Sequence, residues 1–464
     1  MKKLSLFMIL SVAMLATNLF AQSTGRVPIG PPVAASTQHL TLPSGPLPPA
    51  LPQAPKGGGL QIGQSYDGVD FLGSNCGCLP PDTNAAVGDN FVVETVNVQL
   101  RVFDKSTGAI LLDEPLSTFF GAPSGGDPYV VYDDTADRWY VSAFDSSDAG
   151  VFLAVSQTND PTGSWFVFDL VNGIGGFPDY PKMGFNHDAI FISFNNFGNG
   201  GAAATIASIN KTSALSGTLT YYVSVPKFQF RAMPPAQMHG DNVGGVEWFV
   251  STDGTDASGN TMRVTMMTNY LSNSPQFTYT SLPVTAYQSA TTADQPGGAG
   301  TVTVFPNTTT TQVHYRNGHL VTAMASGTAS DGFVYPKGLY YQISVAKKTV
   351  KLLKQGVIDP GPGVAVQMPS VDEDSKGNLG LTWIESSNTE YLTMWVGAQG
   401  KKVNAAQVAA PGGGFFYYSF RIGDYSTIAL DPSDGLTFWA ANEYIGADGA
   451  NDIWLTHLTS FTVQ

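Results

Sequence analysis

Residues Gly126 to Asp145 read GDPYVVYDDTADRWYVSAFD, two apolar runs around one polar turn. Tyr129 to Tyr132 is bounded by Asp127-Pro128 on one side and by Asp133-Asp134-Thr135-Ala136-Asp137 on the other. Trp139 to Phe144 is rich in the aromatic and β-branched residues that strands favour. The stretch predicts a β-hairpin, and the fold follows from its recurrence.

Copies align from about Leu60 onward when each is anchored on the Asp or Gly that closes its polar turn: Asp89, Asp137, Asp188, Gly245, Gly318, Gly377 and Gly435. Behind the anchors come FVVETV, WYVSAF, IFISFN, EWFVST, LVTAMA, LGLTWI and TFWAAN; ahead of most comes a shorter run such as PYVVYD or YSTIAL. The spacing averages about 58 residues, above the roughly 40 to 50 of familiar propeller repeats. That leaves room in each unit for two outer strands, such as Gly150 to Ser156 with Trp165 to Asp169, or Gly338 to Val345 with Thr349 to Lys354. Four antiparallel strands in each of seven units predict an all-β chain, a single seven-bladed β-propeller of four-stranded antiparallel blades over residues 60–464. A pair of β-sandwiches is the competing arrangement. A single ring is favoured because no Pro/Gly/Ser-rich linker follows Gly59, and Thr280 to Gly300 reads as an insertion between units four and five. The ring closes either by pairing Ser65 to Leu72 with the last unit or by folding Ser460 to Gln464 back on the first; both protect an edge strand.

Two segments precede the ring. Residues 1–21 begin Met1-Lys2-Lys3, run apolar from Leu4 to Leu15 and end at Ala21, which reads as a cleavable signal peptide too short to span a bilayer. A secreted or periplasmic protein is expected. Residues 22–59, dense in proline and ending Lys56-Gly57-Gly58-Gly59, read as a disordered tether. No later segment is apolar enough for a membrane span, and a monomer is expected. The formal net charge of −14 argues against a nucleic-acid partner, whose phosphates require a basic patch. The 51 glycines and 30 prolines suit short strands and tight turns, not long helices. Cys76 and Cys78, separated by Gly77 alone, leave free thiols, a small local disulfide or an intermolecular link open, and no Cys or His pair has metal-ligand spacing beside them.

The propeller register locates a site. Eight positions past the anchors stand Asn97, Asp145, Asn196, Asp253, Ser326, Glu385 and Glu443, all polar in a chain only 12% charged. Inner strands begin near Asp82, Asp127, Asp179 and Asp424, on the same rim. Gathered carboxylates repel one another unless a cation or hydrogen-bond donors answer them. The expectation is an electronegative mouth holding Ca²⁺ or another hard cation, with Asp127, Asp179 and Asp424 as metal ligands, or a hydroxyl-rich ligand. Tyr129, Tyr180, Tyr425 and Tyr444 stand near these acids, the pairing of flat rings and oxygens found in sugar clefts. The competing reading is that these Asp and Asn residues cap strand ends and satisfy turn amides.

Three stretches carry a resemblance: PPDTNAAVG at Pro80 to Gly88, SQTNDPTGSW at Ser156 to Trp165, and Gly423-Asp424-Tyr425-Ser426. They resemble segments of secreted bacterial β-propeller proteins with sialidase-like repeats, mostly without an assigned activity. The second is similar to the Asp-box turn of sialidases at longer spacing, and Ser433 to Trp439 is a second degenerate copy. The resemblance implies structural turns on the blade periphery. A sialidase mechanism further implies an Arg triad and a Tyr nucleophile paired with Glu. Tyr425 with Glu443 or Glu385, and Arg421, match part of it, whereas Arg101, Arg138, Arg231, Arg263 and Arg316 do not fall at inner-strand starts.

Asp372 to Gly377 begins like a calcium loop but has Lys376 at a ligand position, so it reads as a hairpin turn; Asp253 to Asn260 reads as a long polar turn. Two functions follow. One is an exported binding propeller for a divalent cation or a glycan, or a cell-surface protein, with Asp82, Asp127, Asp145, Asp179, Arg421, Asp424, Tyr425 and Glu443 as its site. The other is a glycan-active hydrolase or lyase, with Tyr425, Glu385, Glu443, Asp127 and Asp424 as catalytic candidates and two carboxyls about 5 to 9 Å apart.

Overall fold

The computed structural model describes residues 59–464 except 75, 146–149, 171–175, 199–200, 227–230, 232, 241–242, 253–257, 299, 330–331, 402, 417–420 and 448–451. The signal peptide, all but Gly59 of the tether, and Asp253 lie outside the described residues.

The opening stretch forms the strands Ser124–Asp133 and Arg138–Asp145, paired antiparallel with Tyr132 opposite Trp139 and Asp133 opposite Arg138. Its turn is built by Asp133, whose Oδ1 accepts the Thr135 and Ala136 amides at 3.1 Å each, and by Asp137 at φ 57°. A short polar side chain tolerates this left-handed conformation. Trp139, Tyr140 and Val141 are fully buried, and strands Val151–Ser156 and Trp165–Asp169 complete a four-stranded sheet. All seven anchors lie in turns between consecutive strands.

The architecture is an all-β propeller. Among the described residues it forms five blades, not the expected seven: four four-stranded sheets and one of nine strands. The fusion has a local cause. The short strand Ala236–Met238 bonds in parallel to Phe177–Phe185 on one side and to Val313–Arg316 on the other, and is not laddered to Glu247–Thr252, which it meets through side-chain packing and an isolated bridge from Pro235 to Phe249. The neighbouring inner strands are thereby zipped into one sheet, which leaves Glu247–Thr252 in a three-stranded one.

The ring closes at the N-terminus. Strand Leu60–Asp70 pairs antiparallel with Asp452–Val463 and becomes the outermost strand of the last sheet, covering the edge that the final strand would otherwise expose. Of the expected insertion Thr280 to Gly300, the part up to Gln288 belongs to the strand Gln276–Gln288 paired with Ser258–Thr268, and the remainder opens a small hairpin of Thr292–Asp294 with Thr301–Thr303. Ala293, Val302 and Val304 pack with Met368, Ile422, Ile445 and Trp454 into an apolar layer over the rim, and Gln295 exchanges hydrogen bonds with the Phe416 backbone. Among the described residues no helix is long and apolar enough to cross a membrane.

Cys76 and Cys78 are joined by a disulfide, Cα to Cα 5.1 Å. Gly77 at φ 59° turns the chain between them, a conformation that glycine adopts without strain.

Candidate functional site

Three inner strands share one device that aims side chains at the propeller axis. Asp127, Tyr180 and Met368 have φ of 49°, 57° and 46°, and each precedes a proline. The strand register shifts there between Gly126 and Tyr129, between Asp179 and Lys182, and between Gln367 and Ser370. A bulge of this kind re-aims the residue that follows it. Tyr129, Lys182 and Ser370 accordingly turn inward: Tyr129 Oη accepts Gln312 Nε2 at 3.2 Å and Ser370 Oγ lies 2.7 Å from Ser426 Oγ.

Around Lys182 the structure gathers most of the expected site. Asp127 Oδ2 accepts the Tyr180 amide at 3.0 Å and the Tyr425 hydroxyl at 3.1 Å, and Tyr180 Oη donates to the Asp424 carbonyl at 3.0 Å. Arg421 grips Asp424 with two prongs, Nε on Oδ1 and Nη2 on Oδ2, the second at 2.7 Å. Among the described residues Lys182 Nζ has no hydrogen-bond partner, and it sits 3.0 Å from the Tyr180 ring centroid and 3.9 Å from that of Tyr425. Such contacts stabilise an ammonium that has left water.

The mouth is not the open funnel expected from the register. Lys182 is 1% exposed, Tyr425 2%, Asp82 5%, Asp424 5% and Glu443 0%. The Tyr180 and Tyr425 rings are covered by Lys182 and by each other at 5.0 Å, so they are not free stacking platforms. Asp179 and Arg421 are half-exposed and form the edge through which the buried cluster meets solvent.

Burial governs the protonation of the cluster. It raises Asp82 well above the usual carboxylate range, with Asp127 and Asp424 adding repulsion. Asp127 is raised by burial and by Asp424, against the Tyr180 amide and Lys182. Asp424 is raised by burial despite Arg421, and Asp179 by burial and Asp127. Glu443 is raised well above its usual range by burial, and Gly423 packs so close that a Cβ there would stand 1.6 Å from Glu443 Oε1. Lys182 is lowered by burial, which the surrounding aspartates oppose. Acid and base both move toward their neutral forms because desolvation outweighs attraction. The site can therefore hold a proton on a carboxyl beside an aspartate paired with arginine.

Other expected residues go elsewhere. Glu385 is buried on a different sheet, where it accepts Trp383 Nε1 at 2.7 Å, and burial pushes it up to about 8. Asp145 ends its strand opposite Ser124. Tyr444 turns outward to Asp67 and His457. Asn97 holds the Pro80 carbonyl and Ser326 the Gln288 carbonyl, the turn-satisfying role. The sialidase pairing of Tyr425 with a glutamate is not formed, since the Tyr425 hydroxyl is committed to Asp127. Among the described residues no group of three or more His, Cys, Asp or Glu side chains is arranged to hold a metal; Asp127, Asp179 and Asp424 instead surround Lys182.

The first Asp-box-like turn joins Val151–Ser156 to Trp165–Asp169 at the periphery, with Asp160 Oδ1 accepting the Thr162 amide at 2.9 Å. The second differs: it joins Thr427–Leu430 to Thr437–Ala447, an inner hairpin, where the Asp434 carboxylate caps the turn amides of Leu436 and Thr437.

Lys182 is the residue the sequence reading missed. Its signal is the proline that follows the bulge residue in three units, Asp127-Pro128, Tyr180-Pro181 and Met368-Pro369, which marks the next position as inward.

Fold and site together define a β-propeller with a buried ionic cluster at one end of its axis. No protein-family model matches the chain, and no curated protein matches it. It is similar to a protein of unknown function from Dyadobacter fermentans, at 9% identity, 88% of this chain, 100% of that chain and a TM-score of 0.39. It is also similar to U3-55K, at 12% identity, 87% of this chain, 99% of that chain and a TM-score of 0.39. A third likeness is to a PL25 polysaccharide lyase, an ulvan lyase, at 11% identity, 82% of this chain, 81% of that chain and a TM-score of 0.31.

Proposed function

We propose that this chain is an exported binding propeller that takes a hydroxyl-rich, glycan-like ligand at the edge formed by Asp179 and Arg421. The observation that carries it is the half-exposed pair standing over the buried Lys182, Tyr180, Tyr425, Asp127 and Asp424 network. The Asp179 carboxylate offers acceptors, and the Arg421 guanidinium, whose Nε and Nη2 grip Asp424, offers the donors of Nη1, the complement that sugar hydroxyls require. The Arg421 guanidinium supplies positive charge among the acids and Lys182 an amine that the aspartates favour in its charged form; a calcium ion at Asp127, Asp179 and Asp424 is the competing account. Export and kinship with sialidase-like propellers belong to this proposal and rest on the N-terminal segment and the Asp-box-like turns. A glycan array followed by titration calorimetry tests the binding. Arg421→Ala and Asp179→Asn should each weaken the strongest hit at least about tenfold, the loss of one charge-assisted contact. Unchanged affinity in both variants would refute the site.

A second reading has its own support. Glu443 and Asp82 are raised well above the usual carboxylate range, whereas Asp424, raised by burial, is drawn back by its Arg421 pair, and carboxyls whose environments differ in this way are the usual acid and base of glycan chemistry. Glycan turnover abolished by Glu443→Gln would establish a hydrolase or lyase in place of a binder.

A further inference from the structure

The loop beside the mouth contains chemistry that the binding proposal does not use. Cys76 and Cys78 are the chain's two cysteines, and they are bonded to each other across one residue. Cross-links stabilise folded chains chiefly by restricting long loops in the unfolded state, so a bond across a single glycine contributes least.

The loop is held in place without that bond. Ser74 donates its amide to the Asp70 carbonyl at 2.9 Å, Trp454 Nε1 donates to the Cys78 carbonyl at 2.9 Å, and Asn97 Nδ2 donates to the Pro80 carbonyl at 2.7 Å. Phe71 and Leu79 pack onto the apolar layer over the rim. The disulfide itself faces outward: Cys76 is exposed and Cys78 half-buried. The two sulfurs are also unequal. The Cys78 amide donates to Cys76 Sγ at 3.2 Å, and Ser74 Oγ lies 3.6 Å from the same sulfur. An N–H aimed at one sulfur favours negative charge there, which makes Cys76 the better leaving thiolate.

We infer that Cys76-Gly77-Cys78 is a thiol–disulfide exchange site that reacts with a low-molecular-weight thiol or an exposed protein thiol. An incoming thiolate bonds to Cys78 Sγ as the Sγ–Sγ bond breaks. The electron pair goes to Cys76 Sγ, which accepts the Cys78 amide and then takes a proton from water. A second thiolate attacks the incoming sulfur of the mixed disulfide and releases Cys78 as a thiolate, which is protonated in turn. The protein disulfide is reduced by two electrons and the external thiol is oxidised to its disulfide. Trp454, bonded to the Cys78 carbonyl, gives the step an optical reporter.

The test uses the intact folded protein. It is incubated with reduced glutathione, alkylated, and analysed by mass spectrometry, with circular dichroism recorded in parallel. The expected result is alkylation of both cysteines, an unchanged dichroism spectrum, a shift in tryptophan emission, and re-closure in oxidised glutathione. Cys76→Ser in oxidised glutathione should trap glutathione on Cys78. The inference is overturned if the cysteines are alkylated only after denaturation, or if the protein carries two thiols that oxidised glutathione does not close. Because the wild-type alkylation decides alone, a poorly folding Cys76→Ser variant does not blunt the test.

Discussion

Replacing Lys182 by Met removes the one ammonium buried among Asp82, Asp127, Asp424 and Asp179 while keeping much of the side-chain volume. Removing the amine leaves the mutual repulsion of these buried carboxyls unanswered wherever they ionise, at a cost of about 3 kcal/mol, the lower end of what stripping a buried charge of its counter-charge costs. The cost should depend on pH. Burial raises Asp82, Asp127 and Asp424 above their unfolded values, so the folded state binds more protons than the unfolded one. Their contribution to stability is therefore full in acid, below the ordinary carboxylate range near about 4, and is lost as pH rises through the folded values. Lys182 acts in the other sense: its value is lowered, so the folded state binds fewer protons and stability rises with pH. The two slopes partly cancel in the native protein, and Lys182→Met leaves the acids' slope alone. Urea unfolding followed by tryptophan fluorescence should show the variant destabilised at neutral pH, with the gap narrowing toward pH 5. A loss below about 1 kcal/mol that is the same at both pH values would refute the cluster's electrostatics, because that is the ordinary effect of a surface change.

Tyr425→Phe deletes the hydroxyl that donates to Asp127 and should cost about 1.5 to 3 kcal/mol, read from the same unfolding curves. Thermal melts in chelator and in millimolar calcium should give the same midpoint if Lys182 and Arg421 are the cations of the mouth; a rise of several degrees in calcium would restore the metal account. Removing residues 1–70 strips the closing strand from Asp452–Val463 and should yield a protein that aggregates, measured by light scattering, since the edge is then bare. Trp139→Ala empties a fully buried site and should cost about 3 to 5 kcal/mol.

The hairpin Gly126 to Asp145 was legible because its signals are local: alternating apolar runs, a turn built by Asp133, and the same pattern at six further anchors. Strand pairing within a hairpin needs only neighbouring residues, so a linear pattern specifies it. The site was half legible. Asp82, Asp127, Asp179, Asp424, Tyr425, Arg421 and Glu443 do meet at one end, as the register of inner strands requires. Glu385 shares that spacing yet takes Trp383 as its partner on another sheet, and Tyr444, next to Glu443 in the strand Thr437–Ala447, faces the other way because strand side chains alternate.

Sequence alone determined the all-β repeat and its turns, since each rests on contacts between residues close along the chain, and the repeat register marked which acids stand at strand ends. Tertiary structure alone decided three things. The parallel contacts of Ala236–Met238 merge neighbouring sheets, the insertion roofs the rim with Ala293, Val302 and Val304, and Lys182 is the cation among the acids. Each depends on groups distant in the chain that meet only when the ring closes, and burial there outweighs the charge pattern that the sequence displays.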